Sequence, residues 1–291
     1  AIELCLVGSE MCIRDRSIIT LTTDFGIKDH FTANIKGAIF SELPDVNIVD
    51  ISHQISPFNI LEAAYIIQNS YTSFPINTIH IIGVDSELNP ENKHLVVKFE
   101  GQYFICADNG IMSMACLNIE PEEIVEINIH DNLISNFSVL DVFVKVACHI
   151  SRGGKLEVIG KNIDKIKSVK NLTPFINESK NQIIGNVIYI DNYGNVVTNI
   201  TKPFFREISK SRDFEISVRN YKFKKIHTKY SDIVNFSIDE NRRNNDGQAL
   251  AIFNSSLNLE IAIYKSNPVN FGTAASLMGL NILDSVTINF K

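Results

Sequence analysis

The chain has 291 residues, 27 Lys and Arg against 33 Asp and Glu for a formal charge of −6, and is 45% hydrophobic. At roughly 100–200 residues per domain that length suggests two domains, and the apolar share excludes a wholly disordered protein. The acidic balance without a basic block argues against a nucleic-acid partner, and with no run of 18 apolar residues no membrane-spanning helix is expected.

Taken in chain order, residues 1–16 (AIELCLVGSEMCIRDR) lack the basic start of a secretory signal and resemble translated sequencing-adapter DNA, so they read as a non-native leader. Ser17–Thr22 is a β-rich run followed by a turn at Thr23-Asp24-Phe25-Gly26. Asp29 is placed to cap the next helix, where Phe31, Ile35, Ala38 and Ile39 recur at helical spacing until Pro44. Asn47–Ile51 reads as a second strand. Asn59 then caps a second helix, with Glu62 in capping-box position. Ile79–Val84 has the apolar, β-branched character of a strand buried on both faces. His94–Phe99 and Gln102–Ala107 are two strands joined by Glu100-Gly101. A short helix follows Asp108-Asn109-Gly110, then strand Ile124–Ile129 and helix Asp141–Ser151. This alternation predicts an α/β domain over 17–165, a mostly parallel sheet sandwiched by helices.

Residues 166–182 read as a linker, the end of a Lys- and Asn-rich stretch that begins near residue 161 and contains Pro174. Short strands then follow one another: Gly185–Asp191, Val196–Ile200, Phe214–Val218, Ala249–Phe253, Leu259–Tyr264 and Val286–Phe290, with one helical piece at Gly272–Leu280. They predict a small β-barrel-like domain over 183–291.

Five cysteines, an odd number with no CxxC pair, fit reduced thiols in a cytoplasmic protein. Seven histidines with no HxxxH or HExxH give no metal site. His53, His80, His94 and His149 read as structural. There is no Walker loop, GxGxxG or GxSxG. What remains is acidic. Asp24 and Asp85 follow predicted strands directly, where open α/β sheets bind their ligands. A carboxylate there can hold the paired hydroxyls of a ribose, or simply close a turn. Asp108-Asn109-Gly110 and Asp191-Asn192-Tyr193-Gly194-Asn195 are, taken singly, ordinary turn signals.

Ile18–Gly26 (IITLTTDFG), Ile48–His53 (IVDISH), Val84-Asp85, Ala107–Gly110 (ADNG) and Tyr189–Asn199 (YIDNYGNVVTN) occur in that order. Together they resemble the S-adenosylmethionine (SAM) hydroxide adenosyltransferases, which share a fold with the fluorinases and chlorinases. The resemblance spans 17–291. It implies a homotrimer with sites between one subunit's N-terminal domain and its neighbour's C-terminal domain, SAM as substrate and no cofactor. It also implies displacement at the ribose C5′ by water or halide, with methionine leaving as a neutral thioether. By the same resemblance Asp24 grips the ribose hydroxyls, Phe58 covers the ribose and sulfonium side, and Asn109 belongs to the substrate site. Asp191, Tyr193 and Asn195 hold the methionine portion, and Ser255 lies near its carboxylate, with Ser256 where halogenases carry arginine.

The hydrolase branch uses an acid, an arginine and a histidine. Asp85 matches the acid, Asn92 falls on the arginine position beside Lys93, and Ser138 stands at the histidine position. Lys93 or His94 are the groups that can substitute in space. The leading expectation is a SAM hydrolase with Asp85, Ser138 and Asn92 at the chemistry. A non-catalytic SAM or adenosine binder is the alternative. A halogenase ranks below both, because a carboxylate at 85 repels a halide by about 4 kcal/mol at ~4 Å and an effective dielectric constant near 20.

Overall fold

A computed structural model describes residues 17–116, 119–129, 136–169, 172–243, 245–269 and 272–291. The expected leader and Cys5 and Cys12 lie outside them. The chain divides into two compact units, the first ending at Val169 and the second running on to Lys291.

The first unit contains strands β1 (Ile18–Thr23), β2 (Asn47–Ser52), β3 (Ile79–Gly83), β4 (His94–Phe99), β5 (Gln102–Ala107), β6 (Glu123–Ile127) and β7 (Gly160–Asn162). Its helices are α1 (Phe31–Glu42), α2 (Ile60–Ser70), α3 (Ile111–Ala115) and α4 (Val144–Ser151). The sheet runs in the order β2-β1-β3-β5-β4-β6-β7. β2, β1, β3 and β5 are mutually parallel, and β4, β6 and β7 extend the sheet antiparallel. The antiparallel half arises at the two-residue link Glu100-Gly101, too short for a crossover, which folds β4 and β5 into a hairpin.

Every residue of β3 is buried, as expected of a strand covered on both faces. One face of the sheet packs Ile19, Leu21 and Ile81 with Ile35 and Ile39 of α1 and Val146 of α4. The other packs Ile82, Val97 and Phe104 with Ala63 and Ile67 of α2 and Met112 of α3. A polar chain crosses this apolar interior. His80 Nδ1 lies 2.7 Å from Thr20 Oγ1 and its Nε2 lies 2.6 Å from Gln102 Oε1. The glutamine oxygen can only accept, so Nε2 carries the proton and Nδ1 accepts from the threonine hydroxyl. Burial lowers the His80 pKa to about 4, so the ring is neutral. Cys106, Cys116 and Cys148 are buried free thiols, and burial raises the pKa of each, to about 12 for Cys116 and about 11 for Cys148.

Helix starts differ from one another in an instructive way. Asn59 caps α2 as expected, its Oδ1 accepting from the Glu62 amide at 3.1 Å. The Glu62 carboxylate turns back to the Ser56 amide and Asn59 Nδ2. Asp29 does not cap α1. His30 occupies that position with no side-chain bond, and its carbonyl already accepts from the Asn34 amide, so the first turn closes one residue later than Asp29 can serve. The helix expected from Asp141 begins instead as one π-helical turn, Val139–Phe143, before becoming α4.

The second unit contains β8 (Phe175–Ile176), β9 (Gln182–Ile190), β10 (Val196–Thr201), β11 (Phe214–Val218), β12 (Tyr221–Phe223), β13 (Ile226–His227), β14 (Ala249–Phe253), β15 (Asn258–Ile263) and β16 (Ser285–Phe290). Two short helices, α5 (Lys202–Ser209) and α6 (Ala274–Met278), accompany them. The order β12-β11-β16-β9-β10-β15-β14-β13, with β8 on β9, winds into a nearly closed, barrel-like sheet. Its interior is apolar, with Ile183, Val187, Val196, Ile216, Leu259 and Val286 fully buried. The stretch 166–182 is not free of structure: Lys167 and Val169 donate their amides to Asp108 and Ser113 in the first unit, and Phe175–Ile176 pairs with β9 in the second.

Candidate active site

The parallel strands β1 and β3 end side by side, Thr23 opposite Gly83. Their tips carry the two acids. Asp24 leaves β1 with its amide on the Gly83 carbonyl, 3.4 Å away, and its Oδ2 accepts from the Phe58 amide at 2.9 Å. Asp85 stands two residues beyond Gly83. Gly83 is demanded by crowding, because a Cβ there would lie 2.9 Å from Val139 Cγ2 and 3.2 Å from Thr23 Cγ2.

Asp24 and Asp85 open on one cavity of about 580 Å³, which Phe58, Ser138 and His94 also line. Its apolar wall includes Phe25 and Phe137, which stand edge to face at 5.3 Å, and Phe31 packs against both rings at 5.9 and 5.4 Å without lining the cavity. Two non-glycine residues at the rim hold left-handed backbone, Phe58 at φ 61° and Asp85 at φ 45°. Such conformations cost of order 1–3 kcal/mol and persist only where surrounding contacts impose them. For Asp85 the contact is Asn109, whose buried side chain donates to the Val84 and Asp85 carbonyls at 3.1 and 3.2 Å and accepts from the Ile111 amide. Asn109 therefore acts on the backbone beneath Asp85 and does not line the cavity.

Ser138 lies just before the π turn and reaches the cavity with Phe137. His94 reads from the sequence as structural, and beside the family pattern as a group that can substitute in space. It is buried, with Nε2 3.0 Å from the Ser86 carbonyl and its ring edge-on to Phe143, yet it borders the same cavity. Its sequence signal was its place at the first residue of a strand antiparallel to β5, which turns it toward the ligand-binding ends. Asn92 is placed elsewhere: its Oδ1 accepts from Lys167 Nζ at 3.1 Å, its amide bonds Asn89, and it does not line the cavity. Lys93 borders a different recess, of about 610 Å³, with Glu126 and Lys161. Asp108, at the tip of β5, is half-buried. Burial raises its carboxyl pKa against the opposing bond from the Lys167 amide.

The remaining expected residues belong to the second unit. Asp191 folds the β9–β10 turn around itself, with Oδ1 accepting from the Tyr193 and Asn195 amides (2.9 and 2.8 Å) and Oδ2 from Asn195 Nδ2 (3.0 Å). Gly194 completes that turn at φ 71°, packed so closely that a Cβ would fall 2.3 Å from Thr273 Cβ. Tyr193 is 64% exposed. Ser255 is exposed in the β14–β15 turn, which Asn254 organises by accepting from the Ser256 and Asn258 amides. Asn254 in turn donates to the buried Glu260, which also accepts from the Tyr230 hydroxyl at 2.7 Å. Burial, and then the nearby Asp191 charge, raise the Glu260 pKa despite those bonds. Asp191, Tyr193, Asn195 and Ser255 thus sit on two turns of one unit.

Among the described residues no three His, Cys, Asp or Glu side chains converge as a metal site, and no helix is long and apolar enough to cross a membrane.

Comparison with known proteins places this geometry. The family descriptions that match are the SAM hydroxide adenosyltransferase N-terminal domain over residues 19–160 and C-terminal domain over 185–287. A Methanocaldococcus jannaschii protein named (R)-S-adenosyl-L-methionine hydrolase is 28% identical over 281 residues, 93% of this chain and 95% of that protein. A Salinispora tropica protein of the same name is 21% identical over 93% of this chain and 97% of its own length. A Nocardia brasiliensis fluorinase is 25% identical over 64% of this chain and 71% of its own. A crystal structure of an uncharacterized conserved protein from Thermotoga maritima superposes with a TM-score of 0.79 at 27% identity, over 94% of this chain and 99% of that one. On these grounds the chain belongs to the SAM hydroxide adenosyltransferase family.

Proposed function

We propose that this chain is a SAM hydrolase that cleaves its substrate to adenosine and L-methionine. The observation that carries the reading is the convergence of Asp24 and Asp85, from neighbouring strand tips, on one cavity in a chain that matches both domains of the family. SAM is a sulfonium cation, and two carboxylates with an aromatic wall suit a positively charged, half-apolar ligand. Asp24 holds the ribose hydroxyls and Phe58 covers the sugar. Water attacks C5′ as the C5′–S bond breaks; its electron pair stays on sulfur, which leaves as a neutral thioether. The proton lost by water goes to Asp85 and then to solvent, so SAM⁺ and water give adenosine, methionine and H⁺. The leaving group needs no acid; the work is to align the water and accept its proton. The Ser138 hydroxyl, which borders the same cavity, holds that water. Asp191, Tyr193, Asn195 and Ser255 hold the methionine portion. No cofactor takes part, and the working assembly is a homotrimer.

Incubation of the purified protein with SAM, with chromatography for adenosine and methionine in equal amounts, tests the reaction. SAM binding without adenosine above the buffer control leaves only the ligand-binding reading. Fluoride- or chloride-dependent formation of a 5′-halogenated nucleoside instead of adenosine overturns the choice of water, which the carboxylate at 85 favours. Sedimentation of the active species reads the assembly: full activity in a monomer removes the trimer.

A further inference from the structure

The turn that presents Asp24 is held from behind by a histidine that no step of the proposed reaction uses. His53 follows β2, is 6% exposed, and reaches back to the end of β1. Its Nδ1 lies 2.8 Å from Thr23 Oγ1, and Thr23 Oγ1 is 3.5 Å from the Phe25 amide. Its own carbonyl accepts from the Gly26 amide at 2.7 Å. The two residues after Asp24 are therefore tied to one histidine, Phe25 through the Thr23 hydroxyl and Gly26 directly. The far ring nitrogen, Nε2, is buried 3.0 Å from Asp50 Oδ1, at ion-pair distance rather than in an aligned hydrogen bond. Asp50 is itself paired to Lys36. Burial opposes ionisation of Asp50, but the Lys36 ammonium bonded to it and the His53 ring beside it outweigh that and hold the carboxyl below its usual range.

The order of these groups fixes the direction of the protons. A carboxylate beside Nε2 favours the tautomer with hydrogen there. Nδ1 is then the acceptor, the Thr23 hydroxyl donates to it, and a lone pair of that oxygen is left facing the Phe25 amide. Lys36, Asp50, His53 and Thr23 form a line from the surface to the strand tip. At its end stand the Asp24 carboxylate, the Phe25 ring in the cavity wall, and Phe58, whose left-handed amide bonds Asp24.

We propose that His53 is a positioning residue for substrate binding, its ring and carbonyl clamping the Asp24-Phe25-Gly26 turn so that the Asp24 carboxylate is preset for the ribose hydroxyls. The kinetic part of this inference rests on the SAM-hydrolase reading. The ribose hydroxyls lie away from the bond that breaks, so Asp24 grips them equally in ground and transition states. Disturbing the clamp therefore raises KM and leaves kcat near its original value.

Thr23→Val removes the hydroxyl and nearly keeps the shape; Thr23→Ser keeps the hydroxyl. Asp50→Asn acts from the half-exposed end, where no core is opened. The expected result is KM raised about tenfold in T23V, KM raised severalfold in D50N, kcat within about threefold in both, and near-normal KM in T23S. Amide exchange at Phe25 and Gly26 reads the clamp without turnover and should quicken in T23V and D50N, but not in T23S. Unchanged exchange in T23V and D50N overturns the clamp. Quickened exchange with unaltered KM, or with loss confined to kcat, overturns its role in binding. If the unmodified protein makes no adenosine, the hydrolase reading fails by itself, and SAM or adenosine affinity in place of KM, with the exchange rates, still decides the clamp.

Discussion

Asp85→Asn is the sharpest test of the proposed chemistry, because it changes charge and basicity at almost constant shape. The backbone at 85 is left-handed, φ 45°, a conformation that Asn tolerates as well as Asp and most residues do not. The two bonds from Asn109 go to the Val84 and Asp85 carbonyls, not to the Asp85 side chain, so they survive the substitution. The folded state should then keep its thermal midpoint, and any loss of rate belongs to the site. Two losses are expected. A carboxylate and a cation ~5 Å apart attract by about 3 kcal/mol at an effective dielectric constant near 20; an open, solvated cavity brings this to about 1 kcal/mol, a rise in KM of severalfold to tenfold. Removing the proton acceptor lowers kcat by about 10²–10⁴. Adenosine release is followed by chromatography over a range of SAM concentrations, beside thermal unfolding of both proteins. A D85N protein that folds normally and keeps kcat within about threefold of the original would show that Asp85 takes no proton.

Ser138→Ala should lower kcat about tenfold or more with little change in KM, whereas Asn92→Ala, whose side chain is turned to Lys167, should leave both within threefold; steady-state kinetics on the pair decides which aligned position shares the chemistry. His80 gives an acid-side signature. Its folded pKa of about 4 lies below the ordinary 6.5, so between those values the unfolded chain holds a proton the folded chain refuses. Its contribution is fully present above pH 6.5 and falls as pH drops toward 4, by about 3 kcal/mol in all; urea midpoints should show this slope in the original protein and a flatter one in His80→Phe. Gly194→Ala forces a methyl against Thr273 at a left-handed position and should cost about 2–4 kcal/mol, read as a lowered unfolding midpoint.

Much of the architecture was legible because it follows from local chemistry. The run of isoleucines and valine from Ile79 reads as a doubly covered strand, and Glu100-Gly101 is too short to link two strands except as a hairpin. α5 was not anticipated, although Thr201 caps it by accepting from the Phe204 amide and Pro203 stands in its first turn; a Lys-Pro opening and only eight residues masked those signals. The π turn has no readable signal, since it depends on how Val139 and Phe143 meet the sheet. At the site, Asp24 and Asp85 could be placed from strand ends, and Phe58 and Ser138 only through the family resemblance. Asn92 could not, because a lysine 75 residues away draws its side chain off. His94 could be named only as a group able to substitute in space, because a lone histidine at a strand start carries no pattern, and Asn109 was assigned to the substrate because a turn residue can equally serve the backbone or a ligand.

The π turn at Val139–Phe143 amounts to one extra residue wound into a helix, and each residue of an α-helix advances about 100° around the axis. Excising a single residue there would relax the coil to regular pitch and swing Phe137 and Ser138 about a quarter-turn away from Asp85, while α4 kept its seat on the sheet. For this wall of the cavity, the number of residues in the turn sets the direction in which Phe137 and Ser138 face, so a one-codon deletion is expected to move both at once.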